Sequence, residues 1–402
     1  MRSLFLGRQK CLISNQRKIK FLNKKVSRQI KPLQKIKILY LVSALKKCGP
    51  ISVLYNIIKG LDSNTYDIFV LSLSEGETGY VRDQFEALNL ALIYLNNSRL
   101  KGQLLNKSII QKILGDKEID IVHSHGFRSD IINAKLVNAI TMNTIHNFPP
   151  EDYKNRYGKL MGSWMSMKHK DSIKRIQFPI ACSKTVMEKF DKTYNIKTNF
   201  IQNGIDIEKF VPITKDKNEL RQSLDLPVDR QIFIVSGALS QLKNPKIIIE
   251  AFQLQKNEDH VLFFIGTGEL YDSLSSSYES PNIRFIGQVD NVISYLQASD
   301  YYISASLTEG LPNSVLEAIS VGLPMILSKI PSHIEIIGDN YPYLFDPNSS
   351  EDLNKKLKLI EQEENKLFNE KYSIKIENDF TAQLMSIKYQ ELYLSVINSS
   401  EK

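Results

Sequence analysis

Glu309 and Glu317 stand eight residues apart in the run Ser306-Leu-Thr-Glu-Gly-Leu-Pro-Asn-Ser-Val-Leu-Glu-Ala318, the first on a turn and the second inside a helix. The turn Glu309-Gly310-Leu311-Pro312-Asn313 follows the strand-like run Tyr301 to Ala305, and Ser314 to Ile319 reads as the helix it feeds. Backbone amides at such a helix start lack internal carbonyl partners and carry the positive end of the helix dipole, which suits a phosphate. Glu317 then lies about one turn inside the helix, within reach of a hydroxyl-bearing group attached to that phosphate. Glu309 projects from a strand end, where open α/β sheets place ligands. A phosphate flanked by two hydroxyl-binding carboxylates is the chemistry of a nucleotide sugar. A bare pair of Glu at this spacing carries little weight in a charged chain, and the surrounding punctuation gives it meaning. Gly310, Pro312, Gly322 and Pro324 mark out a strand, turn, helix, turn, strand unit that continues into the buried run Pro324 to Ser328.

The elements that must position these residues alternate along most of the chain. Ile36 to Val42 is a short apolar strand, followed by the turn Lys47-Cys-Gly-Pro50 and an amphipathic run from Ile51 to Leu61, with Pro50 suited to a first helical turn. Further strands are expected at 66–71, 91–95, 120–123, 143–146, 179–182 and 199–202. The alternation restarts after a hydrophilic stretch near 212–230, with strands expected at 231–236, 261–265, 283–286, 301–305 and 325–327. Strands separated by helical runs argue for α/β architecture with parallel, doubly wound sheets. The expected organisation is a basic N-terminal extension (1–34), an N-terminal Rossmann-like domain (35–212), a C-terminal Rossmann-like domain (213–380) that bears the Glu309 to Glu317 block, and a last helix (381–402) packing back across both. Two such domains imply a cleft able to close on a substrate.

At 402 residues, two domains are the natural reading, and 42% hydrophobic with 24% charged residues is the composition of a soluble globular protein. No apolar run is long enough to span a bilayer. Cys11, Cys48 and Cys182 form no CxxC pair and suggest neither a disulfide framework nor a zinc site, which fits a reducing cytoplasm. The net charge of +8 is concentrated at one end: residues 1–61 carry 15 Lys and Arg and no acid, leaving the remainder net acidic. That basic segment, with interleaved Leu, Ile and Phe, fits a solvated tail, a surface for anionic membrane or a nonspecific contact with nucleic acid. It lacks the apolar core and cleavage site of a secretory signal. The segment Arg156 to Ile176 sets Arg156, Lys159, Lys168, Lys170, Lys174 and Arg175 around Leu160, Met161, Trp164, Met165 and Met167. It reads as a surface helix whose apolar side packs on its domain, or as a second element approaching a membrane.

In order along the chain, the Gly49 turn, Asp120-Ile-Val-His-Ser-His-Gly126, Thr144-Ile-His-Asn147, Ala181-Cys-Ser183, Asn203-Gly-Ile-Asp206, Gly237 to Lys243, Ile265-Gly-Thr-Gly268, Phe285-Ile-Gly-Gln-Val289 and the Glu309 to Glu317 block form a pattern. Together they resemble the retaining glycosyltransferases of family 4, which have the two-domain GT-B fold of Rossmann-like domains facing across a cleft. The resemblance implies transfer of a hexose or N-acetylhexosamine from a nucleotide diphosphate sugar to a glycan or lipid-linked acceptor, in surface polysaccharide or glycoconjugate synthesis. It favours UDP as the nucleotide and implies neither an obligatory metal nor another cofactor, in a cytoplasmic protein or one peripheral to the membrane. Glu309 would hold donor-sugar hydroxyls near the reacting carbon and Glu317 the ribose hydroxyls. Gly310, Leu311, Asn313 and Ser314 would hold sugar and phosphate through their backbone, and Gly49 would let a helix start approach the diphosphate. Lys243 would neutralise the leaving diphosphate.

His146, taken alone, is as well explained as a structural residue, but the resemblance places it facing the donor sugar. His123 and His125 read as structural or acceptor-side. One departure stands out: Ala238 occupies the position where the family usually has an Arg paired with the lysine, and its loss removes a charged hydrogen bond worth about 1.5 to 3 kcal/mol. Two other functions fit parts of the pattern: a sugar-nucleotide epimerase on the same architecture, or a noncatalytic nucleotide-sugar binder. Nucleic acid is not an expected partner, since the basic excess is confined to one terminus.

Overall fold

A computed structural model describes residues 34–74, 80–95, 102–214, 216–255, 257–362 and 366–400. The basic extension assigned to 1–34 lies outside the described residues except at its last position. The described chain divides into two compact units, one running to Gly204 and resuming at Phe380, the other spanning Ile205–Asp379.

The first unit is built on a seven-stranded sheet in the order β3-β2-β1-β4-β5-β6-β7. Its strands are β1 (Ile36–Val42), β2 (Tyr66–Ser72), β3 (Ala91–Tyr94), β4 (Ile121–His125), β5 (Ile140–Ile145), β6 (Phe178–Ala181) and β7 (Asn199–Phe200). All pair in parallel, with Ile38 opposite Ile68 on one side and Ile121 on the other. Parallel strands covered on both faces read as near-continuous apolar runs, and β1, Ile-Lys-Ile-Leu-Tyr-Leu-Val, is buried at all but Lys37. The helix expected from Ile51 begins two residues earlier and spans Gly49–Lys59, with Pro50 in its first turn, and it buries Ile51, Val53, Leu54, Ile57 and Ile58.

The last helix, Ala382–Ser400, belongs to this first unit. Ser386 Oγ donates to the Ile57 carbonyl at 2.8 Å and Gln390 Nε2 to the Gly60 carbonyl at 3.1 Å. Its Tyr389, Tyr393 and Met385 join the core around β1.

The second unit carries a six-stranded parallel sheet in the order β10-β9-β8-β11-β12-β13. Its strands are β8 (Gln231–Ser236), β9 (His260–Ile265), β10 (Ile283–Gly287), β11 (Tyr301–Ser304), β12 (Met325–Ser328) and β13 (Leu344–Phe345), the last too short to announce itself in sequence. Both sheets are doubly wound, and in each the order reverses beside the first strand: between β1 and β4, and between β8 and β11. Such switch points leave a crevice at the carboxyl ends of the strands. The stretch 205–212, expected to close the first domain, packs on the second. Ser320 Oγ donates to the Phe210 carbonyl at 2.5 Å and Gln297 Nε2 to the Val211 carbonyl at 2.7 Å.

The segment 156–176 is not one helix. Gly158, at φ +77°, separates Pro149–Tyr157 from Lys159–Ile173. The sidedness of the second helix is the reverse of the usual one: Gly162, Ser166, His169, Ser172 and Ile173 are buried, while Leu160, Met161, Trp164 and Met167 face outward.

Candidate functional site

In the second unit the two strands that flank the switch point, β8 and β11, end in the two loops that carry the expected donor residues. The loop after β8 runs through Gly237 and Ala238 to a single turn of 3-10 helix, Gln241–Lys243. The loop after β11 runs through Ser306 and Glu309 to the helix Asn313–Ser320. A backbone bond from Leu307 N to the Leu242 carbonyl, 2.8 Å long, ties the loops together. Lys243 and Glu309, 66 residues apart in sequence, meet there with Nζ 2.5 Å from Oε1.

Ser306 Oγ donates to the same Glu309 Oε1 at 2.7 Å, and the Ser306 carbonyl accepts from Ser328 Oγ at 2.6 Å. Beneath them His333 is fully buried, its Nδ1 2.8 Å from the Ser328 carbonyl and its Nε2 3.3 Å from Ser304 Oγ. Burial pushes the His333 imidazole down to about 4, so it is neutral at pH 7. Burial also acts to raise the Glu309 carboxyl, but the Lys243 ammonium, its hydrogen bond and the Ser306 hydroxyl outweigh it and hold the group below its ordinary range. Lys243 shows the converse: burial pulls it down, and Glu309 lifts it above its ordinary value. At neutral pH this is a charged pair, one side chain 29% and the other 13% exposed.

Glu317 has the opposite electrostatics. It sits on the fifth position of the Asn313–Ser320 helix. Burial raises its carboxyl to about 7, against the partial relief of Lys209 and Lys243. The two glutamates of the motif thus differ in their hold on a proton: Glu309 is held below the ordinary carboxylate range and Glu317 above it.

Val315 N and Leu316 N both reach back to the Pro312 carbonyl, so the amides of Asn313 and Ser314 lie ahead of the helix's first internal bonds. Ser314 also hydrogen-bonds Tyr302 of β11, whose buried phenol is pushed above its ordinary value by desolvation. Gly310 and Leu311 are buried at the bend. A small cavity is lined by Gly237, Ala238, Lys243, Tyr302, Ala305 and Ser306, and Ala238 is exposed. Among the described residues, no group of three or more His, Cys, Asp or Glu is arranged to hold a metal ion.

The structure brings Lys243, Glu309, Gly310, Leu311, Asn313, Ser314 and Glu317 together at one end of the second sheet. Gly49 and His146 belong to the first unit. Gly49 opens the Gly49–Lys59 helix after β1, and a Cβ placed on it would meet nothing within 4 Å. His146 follows the last residue of β5, half-buried, with Nε2 2.9 Å from His125 Nδ1 at the end of β4. Burial lowers His146 to about 4 despite the countering charge of Asp130, and its neighbour His125 is driven well below its ordinary value. Both rings are neutral at pH 7, and the bond between them fixes how each is oriented.

Several participants carried no sequence signal. His123 Nδ1 lies 2.7 Å from Tyr393 Oη and its Nε2 2.9 Å from Thr144 Oγ1, which in turn lies 2.8 Å from Tyr389 Oη. The C-terminal helix therefore anchors the ends of β4 and β5, through partners 245 and 270 residues away. His123 is fully buried among these partners. Ser306 stood inside the motif without an assigned task, and Tyr302, His333 and Lys209 could be found only from the packing of the loops.

Comparison with known proteins bears on the family and the fold. A model of the family described as Glycosyltransferase Family 4 matches residues 49–209, and one described as Glycosyl transferases group 1 matches residues 216–377. The chain belongs to the family 4 glycosyltransferases. Its two Rossmann-like units are those of the GT-B fold, and it is a glycosyltransferase. It is 27% identical over 356 residues to the UDP-Gal:alpha-D-GlcNAc-diphosphoundecaprenol alpha-1,3-galactosyltransferase of Escherichia coli, covering 84% of this chain and 91% of that one. It is also 27% identical over 377 residues to the O-antigen biosynthesis glycosyltransferase WclY of Escherichia coli, covering 89% and 98%. Among solved structures, Anabaena HepE in complex with UDP and glucose aligns with a TM-score of 0.74 at 17% identity, over 89% of this chain and 99% of that one. No helix among the described residues is long and apolar enough to cross a membrane.

Proposed function

We propose that this glycosyltransferase moves a hexose or N-acetylhexosamine, with retention at the anomeric carbon, from a UDP-linked donor to a glycan or lipid-linked acceptor in surface polysaccharide or glycoconjugate synthesis. The observation that carries the reading is the Lys243–Glu309 pair at the β8/β11 switch point, beside the start of the helix that bears Glu317. The diphosphate lies at the amides of Asn313 and Ser314, and Lys243 turns from Glu309 toward the leaving phosphate. Glu309, released from its cation, accepts hydrogen bonds from donor-sugar hydroxyls, and Glu317 accepts them from the ribose. Gly310 and Leu311 contribute backbone groups at the sugar, and the family resemblance assigns Gly49 to the diphosphate and His146 to the sugar.

In the transfer step the bond from the anomeric carbon to the phosphate oxygen breaks as the bond to the acceptor oxygen forms. The acceptor proton passes to the departing phosphate oxygen, and the products are the new glycoside and UDP. Preorganised charge at the leaving group accounts for most of the rate, with no metal required. The UDP-sugar named for the Escherichia coli relative and the UDP and glucose in the HepE complex support the choice of donor.

The test is incubation with a panel of radiolabelled UDP, GDP and ADP sugars, a lipid-linked N-acetylhexosamine acceptor and EDTA. Label moving from a UDP-sugar into an organic-extractable product is expected. Label that stays on the nucleotide, epimerised or unchanged, would overturn the reading in favour of an epimerase or a binder.

A further inference from the structure

The Lys159–Ile173 helix presents its apolar residues to solvent. Leu160 is 91% exposed, Met167 62%, Met161 54% and Trp164 52%, and Tyr157 at the end of the preceding helix is 48% exposed. Leu160, Trp164 and Met167 follow one another at the four- and three-residue intervals that align side chains along a single helix face, a stripe about 10 Å long. Large apolar groups clustered this way on a water-facing helix mark an interaction surface.

The inward face explains why the helix is held in this orientation. A Cβ on Gly162 would lie 2.4 Å from the Tyr153 carbonyl, so only glycine allows the two helices to pack this closely. His169 Nδ1 is 2.8 Å from Tyr153 Oη, and its Nε2 is 2.7 Å from Asp130 Oδ2. Asp130 is fully buried and also accepts from Ser124 Oγ at 2.6 Å and Asn143 Nδ2 at 3.0 Å. The helix is thus keyed to the sheet by a polar network, and rotating it to bury Leu160 and Trp164 would break that network.

Charge identifies the occupant. Lys159 and Lys168 flank the stripe, Lys154 and Arg156 are exposed on the preceding helix, and Lys174 and Arg175 are exposed just beyond the helix end. Asp171, exposed on the same face, is paired with Lys170. Apolar residues framed by Lys and Arg complement a bilayer with anionic headgroups, in which the stripe enters the acyl boundary and the cations stay at the phosphates. A second copy of the chain is a poorer partner, because symmetric pairing would set two rims of lysine against each other.

We propose that the outward face of the Lys159–Ile173 helix is a docking surface for an anionic lipid bilayer. The inference stands on this surface alone and goes beyond the transfer reaction.

Trp164 is the only tryptophan in the chain, so its fluorescence reports on this face and on no other. The full-length protein is titrated with vesicles of phosphatidylcholine, with and without about one third phosphatidylglycerol, while emission, quenching by brominated lipid and sedimentation are recorded. The expected result is a blue shift and quenching with anionic vesicles only. Leu160→Ser/Met167→Ser, at exposed positions that leave the fold intact, should need about tenfold more lipid for half-binding. Sedimentation with vesicles without any change in Trp164 emission would overturn the proposal and assign binding to the basic N-terminal segment. A blue-shifted emission without lipid, together with a dimer abolished by Leu160→Ser/Met167→Ser, would overturn it in favour of a second copy.

Discussion

Replacing Lys243 with methionine separates the two tasks assigned to this side chain. In the native protein its ammonium sits 2.5 Å from Glu309 Oε1, with the side chains 29% and 13% exposed. A pair at that depth lies between a surface ion pair, worth about 0 to 1 kcal/mol, and a buried one whose disruption costs about 3 to 5. Lys243→Met should therefore destabilise the second unit by about 2 kcal/mol at pH 7. For a domain of this size that is a Tm decrease of about 4 to 8 °C. Glu309, left with Ser306 and its burial, should then titrate above its ordinary range. Loss of the cation at the leaving diphosphate should lower kcat about a hundredfold to a thousandfold.

The double variant Lys243→Met/Glu309→Gln leaves no uncompensated charge, so it should recover most of the lost Tm while remaining as inactive as the single variant. Differential scanning calorimetry and initial-rate assays on the four proteins of the cycle read both effects. If Lys243→Met is as stable as the native protein, or the double variant is no more stable than the single, the ion pair is not what holds this loop.

Three further outcomes follow from the same structure. Glu317 titrates at about 7 in the folded protein against 4.5 ordinarily, so its contribution is greatest below pH 4.5 and is lost as pH rises through 7. Glu317→Gln should abolish that slope, with a gain over the native protein of up to about 3 kcal/mol at pH 8, together with weaker UDP binding by calorimetry. His123 and His146, lowered to about 3 and about 4, have the opposite sign, and the first unit should lose stability as pH falls below 6.5 toward those values, read by circular dichroism. Gly266→Ala puts a Cβ 2.1 Å from the Gly237 carbonyl at φ +123° and should cost about 3 kcal/mol or more. Gly49→Ala, with nothing within 4 Å, should leave Tm unchanged while weakening donor binding.

Local pattern and family resemblance made the strands and the donor motif legible. β1, β8 and β9 are buried apolar runs, and Glu309 to Glu317 form a strand-turn-helix unit whose identity depends on neighbouring residues. What sequence could not supply was pairing over distance. Lys243 reads as a group for the diphosphate and Glu309 as one for the sugar, yet in the structure each is the other's partner, because the sheet order places β8 beside β11. Tyr389 and Tyr393 gave no hint that they would support His123 and Thr144, since nothing local encodes where a terminal helix docks.

For a related reason, sequence leaves the sidedness of the Lys159–Ile173 helix open between an apolar side packed on the domain and one turned outward. Reading the apolar side as the core side assumes that burial is driven by large side chains, whereas here a close glycine contact and the His169–Asp130 bond fix the inward face. Ala238 remains legible as a departure from the family pattern, and the exposed methyl in the structure supplies no charge in its place.

The decisive measurement is the anomeric configuration of the product formed from a UDP-α-hexose, read from the proton coupling at the new glycosidic carbon. An α-linked product, with Glu309→Gln and Lys243→Met each reducing its formation at least about a hundredfold, is the predicted result. A β-linked product, or transfer that survives both substitutions, would contradict a retaining reaction organised by the Lys243–Glu309 pair.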